Sequence, residues 1–271
     1  MAEGLYWLDG AGASYTLYDG SDATRRVLEV MGLGLPPIEL TMQRTPFDHG
    51  AVLIADAYLP REVKVTLHRN LTSRANWFAA RQALAQAFTN EKGQGQFKWV
   101  DASANDWRLD AYVNGGLGLP APTDHPWMIR DVVELIAPWP FWRPASVTTV
   151  TGNFNGATPV DIVVANTGDV ATYPTTITLG VVTNPVVQVV GTAPKISLTY
   201  AITSGHTATV YCWPVNERRI LLDAVTNITG YMSYDSTLAF QLPRSGCTVR
   251  LTAASGTGSF SMSYYPYYLA I

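Results

Sequence analysis

Charge is the scarcest property of this chain. Asp, Glu, Lys and Arg supply 14% of its 271 residues, against roughly 25% in an ordinary soluble domain. Basic residues never cluster beyond the pairs Arg25-Arg26 and Arg218-Arg219, and the net charge is −3. That combination excludes the electrostatic footprint of a nucleic-acid-binding face. Cysteine is nearly absent too, with Cys212 and Cys247 alone. Without a secretion signal the pair reads as reduced, buried small hydrophobes, with a disulfide left open. The start, Met1-Ala2-Glu3-Gly4, lacks the basic region and apolar core of a signal peptide, so synthesis and assembly in a cytoplasm are expected. No apolar run approaches the length of a membrane span.

Catalytic motifs are missing as well. There is no phosphate-binding loop, no Gly-x-Ser-x-Gly elbow, no His-Glu-x-x-His and no Cys-x-x-Cys pair. Gly10 and Gly12 belong to a turn rather than a dinucleotide loop. His49 and His68 have no further ligand at useful spacing, so no metal site is expected. Asp161, Asp169, Asp223 and Asp235 lie in or beside turn sequences, where solvated and turn-forming roles are ordinary. A glycosidase pair stays open, because two carboxylates need only meet in space. Asn70-Leu71-Thr72 and Asn227-Ile228-Thr229 match the glycosylation pattern, which carries weight only in a secreted chain. No catalytic residue, metal ligand or cofactor is assigned.

Aromatic and apolar residues are plentiful: 8 Trp, 14 Tyr and 8 Phe. So much aromatic surface with so little charge points to faces covered by other chains, since interface cores are depleted in charge and rich in aromatics. The length permits a sizeable core and favours two domains over one.

The pattern along the chain is mainly β. Leu5–Leu8 and Tyr15–Tyr18, split by Asp9-Gly10 and stopped by Asp19-Gly20, read as a hairpin. Residues 29–37 end in Gly and Pro and read as irregular. Ile38–Arg44 and Glu62–His68 alternate as strands, with His68 on the polar face. One helix is expected over Thr72–Phe88, with Trp77, Ala80, Leu84, Ala87 and Phe88 on a stripe and Thr72 or Ser73 as cap. Gly93 follows its end. Strands are then expected over Gln96–Val100, Trp107–Val113 and Trp127–Ile136, with a turn at Ala104–Asp106 and loop punctuation from Gly115 to Pro122. Pro138–Pro144 interleaves three prolines with three large aromatics and reads as a connector. Its rings either pack on a domain or subunit surface or stack on a sugar.

From Ser146 onward the expectation is an antiparallel sandwich of short strands. They are Val147–Thr151, Val160–Val164, Thr175–Leu179, Val186–Val190, Ile196–Ala201, Thr207–Cys212, Arg219–Leu222, Leu238–Gln241, Thr248–Ala253 and Phe260–Tyr265. Asn166, Gly168 and Asp169 supply turn chemistry between two of them, and Pro174 fits only the start of a strand or a sheet edge.

Two stretches resemble a known family. Asn166, Gly168 and Asp169 followed by Tyr173, Pro174, Ile177 and Gly180 open the C-terminal half as in the distal tail proteins of long-tailed bacteriophages. Earlier, His49-Gly50, Pro60-Arg61, Val63, Val65, Arg74 and then Gly93, Gly95 and Phe97 resemble the N-terminal domain of the same family, and the two matches run in the expected order. The resemblance implies an N-terminal β-sandwich with a short helix and a β-hairpin extension, over residues 1–140. Residues 141–145 would connect it to a galectin-like or carbohydrate-module-like β-sandwich over 146–271. It implies a homohexameric ring at the virion tail tip that joins the tail tube protein to the tip hub and lets DNA through. Receptor-binding and tape measure proteins would be further partners, with no sequence-specific nucleic acid, no membrane span and no catalysis. The rival reading is a carbohydrate-binding module, in which Trp213, Tyr265 and Tyr267 hold a glycan. A hydrolase with a site invisible in sequence is the third.

Overall fold

Alternation of apolar and polar residues is expressed as antiparallel strands throughout the computed structural model, which describes residues 3–22, 24–44, 51–118, 127–192 and 195–271. The chain divides into two compact units, Met1–Ala145 with Leu269–Ile271, and Ser146–Tyr268.

The first unit contains β1 (Gly4–Leu8), β2 (Ser14–Tyr18), β3 (Arg25–Met31), β4 (Ile38–Arg44), β5 (Ala51–Tyr58) and β6 (Arg61–Asn70). Helix α1 (Arg74–Ala87) follows, then β7 (Gly95–Val100), β8 (Asp106–Gly116), β9 (Met128–Ala137) and β10 (Arg143–Pro144). One sheet runs in the order β2-β1-β7-β8-β9-β6-β3, with β10 beside β8. Its two ends are tied together: from β3, Arg25 Nη1 donates to the Thr16 carbonyl of β2 at 3.1 Å, and from β6, Arg69 Nη1 donates to the Tyr15 hydroxyl of β2 at 2.8 Å. The sheet thereby folds over itself as a sandwich. Inward residues of the alternating strands, Val63, Val65 and Leu67 with Phe97, Leu109, Val133 and Leu135, are buried.

Helix α1 starts where Ser73 accepts a hydrogen bond from the Asn76 N–H, and it buries Trp77 and Leu84 as the stripe predicts. It ends at Phe88, whose ring stacks on Trp7 at 5.5 Å, while Trp7 Nε1 donates to the Ala87 carbonyl at 2.8 Å. Gly93 closes a separate 3₁₀ turn, Asn90–Lys92, and is not the cap of α1. Gly95 is required by close approach: a Cβ there would lie 2.4 Å from the Trp7 ring and 2.5 Å from the Leu8 carbonyl.

Three expectations for this unit are corrected. Residues 29–31 are not irregular but end strand β3, whose register against β6 shifts between Val27 and Glu29. That bulge breaks the two-residue period. Strand β8 continues through Gly115 and Gly116. The Pro138–Pro144 segment is built into the first unit rather than left as a free connector: Phe141 and Trp142 are buried, and Arg143–Pro144 pair with β8.

The second unit has β11 (Thr148–Asn153), β12 (Val160–Val164), β13 (Pro174–Leu179), β14 (Val182–Thr183), β15 (Val186–Val189) and β16 (Lys195–Ser197). Next come β17 (Ala201–Ile202), β18 (Ala208–Tyr211), β19 (Arg219–Leu222), β20 (Thr226–Asn227), β21 (Cys247–Thr252) and β22 (Ser259–Tyr264). A sheet ordered β11-β22-β13-β18-β19-β20 faces one ordered β12-β21-β15-β16 across a single core. Ile177, Val210, Phe260, Met262, Val249 and Leu251 are among the residues that fill it. Pro174 stands at the first position of β13, as its missing N–H requires. The turn before it is locked. Asn166 Nδ2 donates to the carbonyls of Val170 and Pro243, Gly168 N donates back to Asn166 Oδ1, and a Cβ on Gly168 would collide with the Tyr267 backbone at 2.5 Å.

Two strand expectations change here. Ile196–Ala201 is not one strand: β16 ends at Ser197, Leu198 makes an isolated bridge with Met232, and strand pairing resumes at Ala201. Leu238–Gln241 alternates in burial, with Leu238 and Phe240 inside, but forms no ladder beyond the bridge of Leu242 with Thr172.

Candidate assembly surface

Strands β4 and β5 pair with each other and belong to a sheet of their own. Their register sets Ile38, Leu40 and Met42 opposite Tyr58, Asp56 and Leu53, so one face of the arm is almost wholly apolar. Glu39, Thr41 and Gln43 occupy the other face. The five large apolar side chains of the first face are each between 37% and 59% exposed. A lone two-stranded hairpin is at best marginally stable in water. Covering such side chains is worth about 1 kcal/mol apiece, roughly half the value of full burial. The arm is therefore shaped for a partner surface.

Its root is rigid. Leu59 N donates to the Pro37 carbonyl at 2.9 Å, and the Tyr58 ring meets Phe141 edge-on at 5.2 Å. Immediately after it comes Arg61, 1% exposed. Its Nε donates to Pro140 O at 2.8 Å, Nη1 to Gly32 O at 2.9 Å and Gly34 O at 2.5 Å, and Nη2 to Leu269 O at 2.6 Å. The guanidinium also lies over the Trp142 ring at 5.9 Å. Burial lowers its pKa to about 10, so the group stays charged at neutral pH and is neutralised by carbonyl dipoles rather than a carboxylate. The segments entering and leaving the arm are thus pinned by one side chain.

The residues singled out for chemistry do not converge. Asp161 forms a two-bond pair with Arg250 across β12 and β21, Asp235 pairs with Lys195, and Asp223 accepts from Thr207 N and pairs with His206 at 2.5 Å. The backbone N–H of Asp169 donates to Tyr267 O. Among the described residues no group of three or more His, Cys, Asp or Glu is arranged to hold a metal ion. His68 contacts Asn70 Oδ1 at 3.0 Å, and His49 and Gly50 lie outside the described residues. Cys212 and Cys247 are free thiols, and burial pushes Cys212 up to about 12. No helix among the described residues is long and apolar enough to cross a membrane.

The three aromatics proposed for a glycan are also separated in role. Trp213 stacks against Tyr173 with ring centres 5.5 Å apart, and Arg218 covers Tyr173 at 5.4 Å. Tyr265 is half-buried and its carbonyl accepts from Thr172 Oγ1. Tyr267 is 4% exposed, so it offers no open ring face to a ligand.

No family profile and no curated protein matches the sequence. Solved structures do. The SPP1 Dit protein, described as a paradigm of hub adsorption apparatus in phages infecting Gram-positive hosts, superposes with a TM-score of 0.71 at 15% identity, over 98% of this chain and 99% of that one. A chain of the phage P2 baseplate in its activated conformation, solved with calcium and again with strontium, superposes with a TM-score of 0.54 at 8% identity, over 97% of this chain and 98% of that one. The two-unit antiparallel fold is thus shared with the SPP1 Dit protein over nearly the whole chain.

Proposed function

We propose that the chain is a structural component of a long-tailed bacteriophage tail tip. Six copies form a ring that joins the tail tube protein to the tip hub and adsorption apparatus, and DNA passes through its lumen. Receptor-binding and tape measure proteins are its further neighbours. Residues 1–140 build the ring and residues 146–271 form the outer domain. The role is mechanical, without catalysis.

The observation that carries this reading is the arm of β4 and β5, whose apolar face is exposed on a rigid root in a chain with the distal-tail fold. A copy of the same chain is the natural cover, because a head-to-tail contact that repeats by a fixed rotation closes into a ring. Native mass spectrometry of the purified chain tests it: a hexamer, or rings in negative-stain images, is expected. The double variant Leu40→Asp, Met42→Asp should give folded monomers with an unchanged far-ultraviolet circular dichroism spectrum. A wild-type chain that stays monomeric at the highest attainable concentration overturns the reading.

A further inference from the structure

The first unit carries a row of bases that its own fold does not use. Strand register sets Arg26 of β3 directly opposite His68 of β6, and His68 directly opposite Arg130 of β9. Directly opposed residues share a face, so the three side chains stand side by side across three strands. The face is the outer one, because the adjacent residues Leu67 and Ile129 are buried. Both arginines are exposed and His68 is half-buried.

Like charges directly opposite each other destabilise a sheet. Four residues back along the same face the chain does the reverse, pairing Lys64 with Glu134 at 2.9 Å. Arg25 has Asp22 at 3.0 Å. Among the described residues Arg26 and Arg130 have no hydrogen-bond or ion-pair partner, and His68 Nε2 contacts the Asn70 amide at 3.0 Å rather than a carboxylate. Alternation places Asp131 on the opposite face, where it accepts from Gly118 N at 3.1 Å. Glu29, opposite Thr66, is the one nearby acid left on the outer face of β3, so the row keeps a net positive charge. The backbone beneath is tied: Asn70 N donates to Thr24 O at 2.9 Å and Leu71 N to Trp127 O at 2.8 Å.

We infer that Arg26, His68 and Arg130 form a docking row for an acidic helix of another protein. Charge complementarity selects carboxylates, which the arginine fork matches. Spacing selects a helix. The row steps by about 5 Å from strand to strand and spans about 10 Å, and helix residues i, i+4 and i+7 step by about 5–6 Å and span about 10 Å. Alternate residues of a strand would step by about 7 Å. The partner is not a second copy through α1, since that helix contains no Asp or Glu. Three bases in a chain of net charge −3 are too few to hold a polyanion, whose binding grows with each phosphate neutralised.

The test is an NMR titration of the full chain with an alanine-rich helical peptide bearing glutamates at i, i+4 and i+7. Its controls are the same composition with the glutamates spread around the helix, and a short DNA duplex. The striped peptide is expected to bind with Kd on the order of 1 mM in about 50 mM salt, weakening about tenfold in about 500 mM salt. Shifts should centre on Arg26, His68 and Arg130. The double variant Arg26→Gln, Arg130→Gln should weaken binding about tenfold or more, while Arg244→Gln, an exposed arginine of the second unit, leaves it unchanged. Because it relieves like-charge repulsion, Arg130→Gln should melt no lower than the wild type. A lower melting temperature would show that the row serves the fold, and would overturn the inference. So would no binding at about 10 mM peptide, equal binding of the spread peptide, binding that survives the double variant or depends on Arg244, or tighter binding of the duplex. The row does not rest on the ring, so rings of the double variant should look normal, and each reading can fail without the other.

Discussion

Arg61 reaches four backbone carbonyls from one buried guanidinium, a use of arginine that follows from its five fixed donors and the charge it keeps at neutral pH. Removing it strands the buried carbonyl of Pro140 and takes the donor from three part-buried ones. Arg61→Met should therefore destabilise the first unit by about 3–5 kcal/mol in urea unfolding. Lysine keeps the charge but not the fork and should fall between. A second residue sets a pH dependence. Asp9 accepts from Ala11 N and Ala13 N and pairs with Lys92 at 2.6 Å. The Lys92 bond, helped by those N–H groups, holds its carboxyl below the ordinary value. A depressed folded pKa contributes stability above the unfolded value of about 4 that is lost as pH falls through the folded one. Acid titration of the β1–β2 hairpin by NMR should show it loosening below about pH 4. Asp9→Asn should flatten that dependence, and an unchanged profile would refute this account.

Elements were legible in sequence wherever one period ran unbroken. Helix α1 declared itself through Trp77, Leu84 and Phe88, and β6 through Val63, Val65 and Leu67, because each buries one face. Strand β3 was hidden by its bulge, and Leu238–Gln241 misled because its inward and outward alternation is real while its ladder is not. The arm shows the limit of pattern reading. Alternation marks Ile38–Arg44 as a strand, yet nothing in it tells that the apolar face lies open instead of on a core. Arg61 was visible only through family resemblance, since a buried cation breaks the rule that apolar residues go inside. Contact geometry at Gly95 gives this scale its own prediction. Gly95→Ala must displace the Trp7 ring and the β1 backbone, and should lower the melting temperature by several degrees for a loss of about 1–3 kcal/mol. A variant melting with the wild type would show that the strands yield at no cost.

At the scale of the whole molecule, the second unit is a continuous stretch, Ser146–Tyr268, with its own core. Expressed alone, it should unfold in one cooperative transition, monitored by Trp213 fluorescence. A non-cooperative melt would show that it leans on the rest of the chain. The first unit is discontinuous, because Leu269–Ile271 return to it. Arg61 and the carbonyl of Leu269 are 208 positions apart. On the ribosome, the guanidinium waits for its last acceptor while the 208 positions that separate them are synthesised. A protein made without Leu269–Ile271 would have the anchor of its arm incomplete from birth.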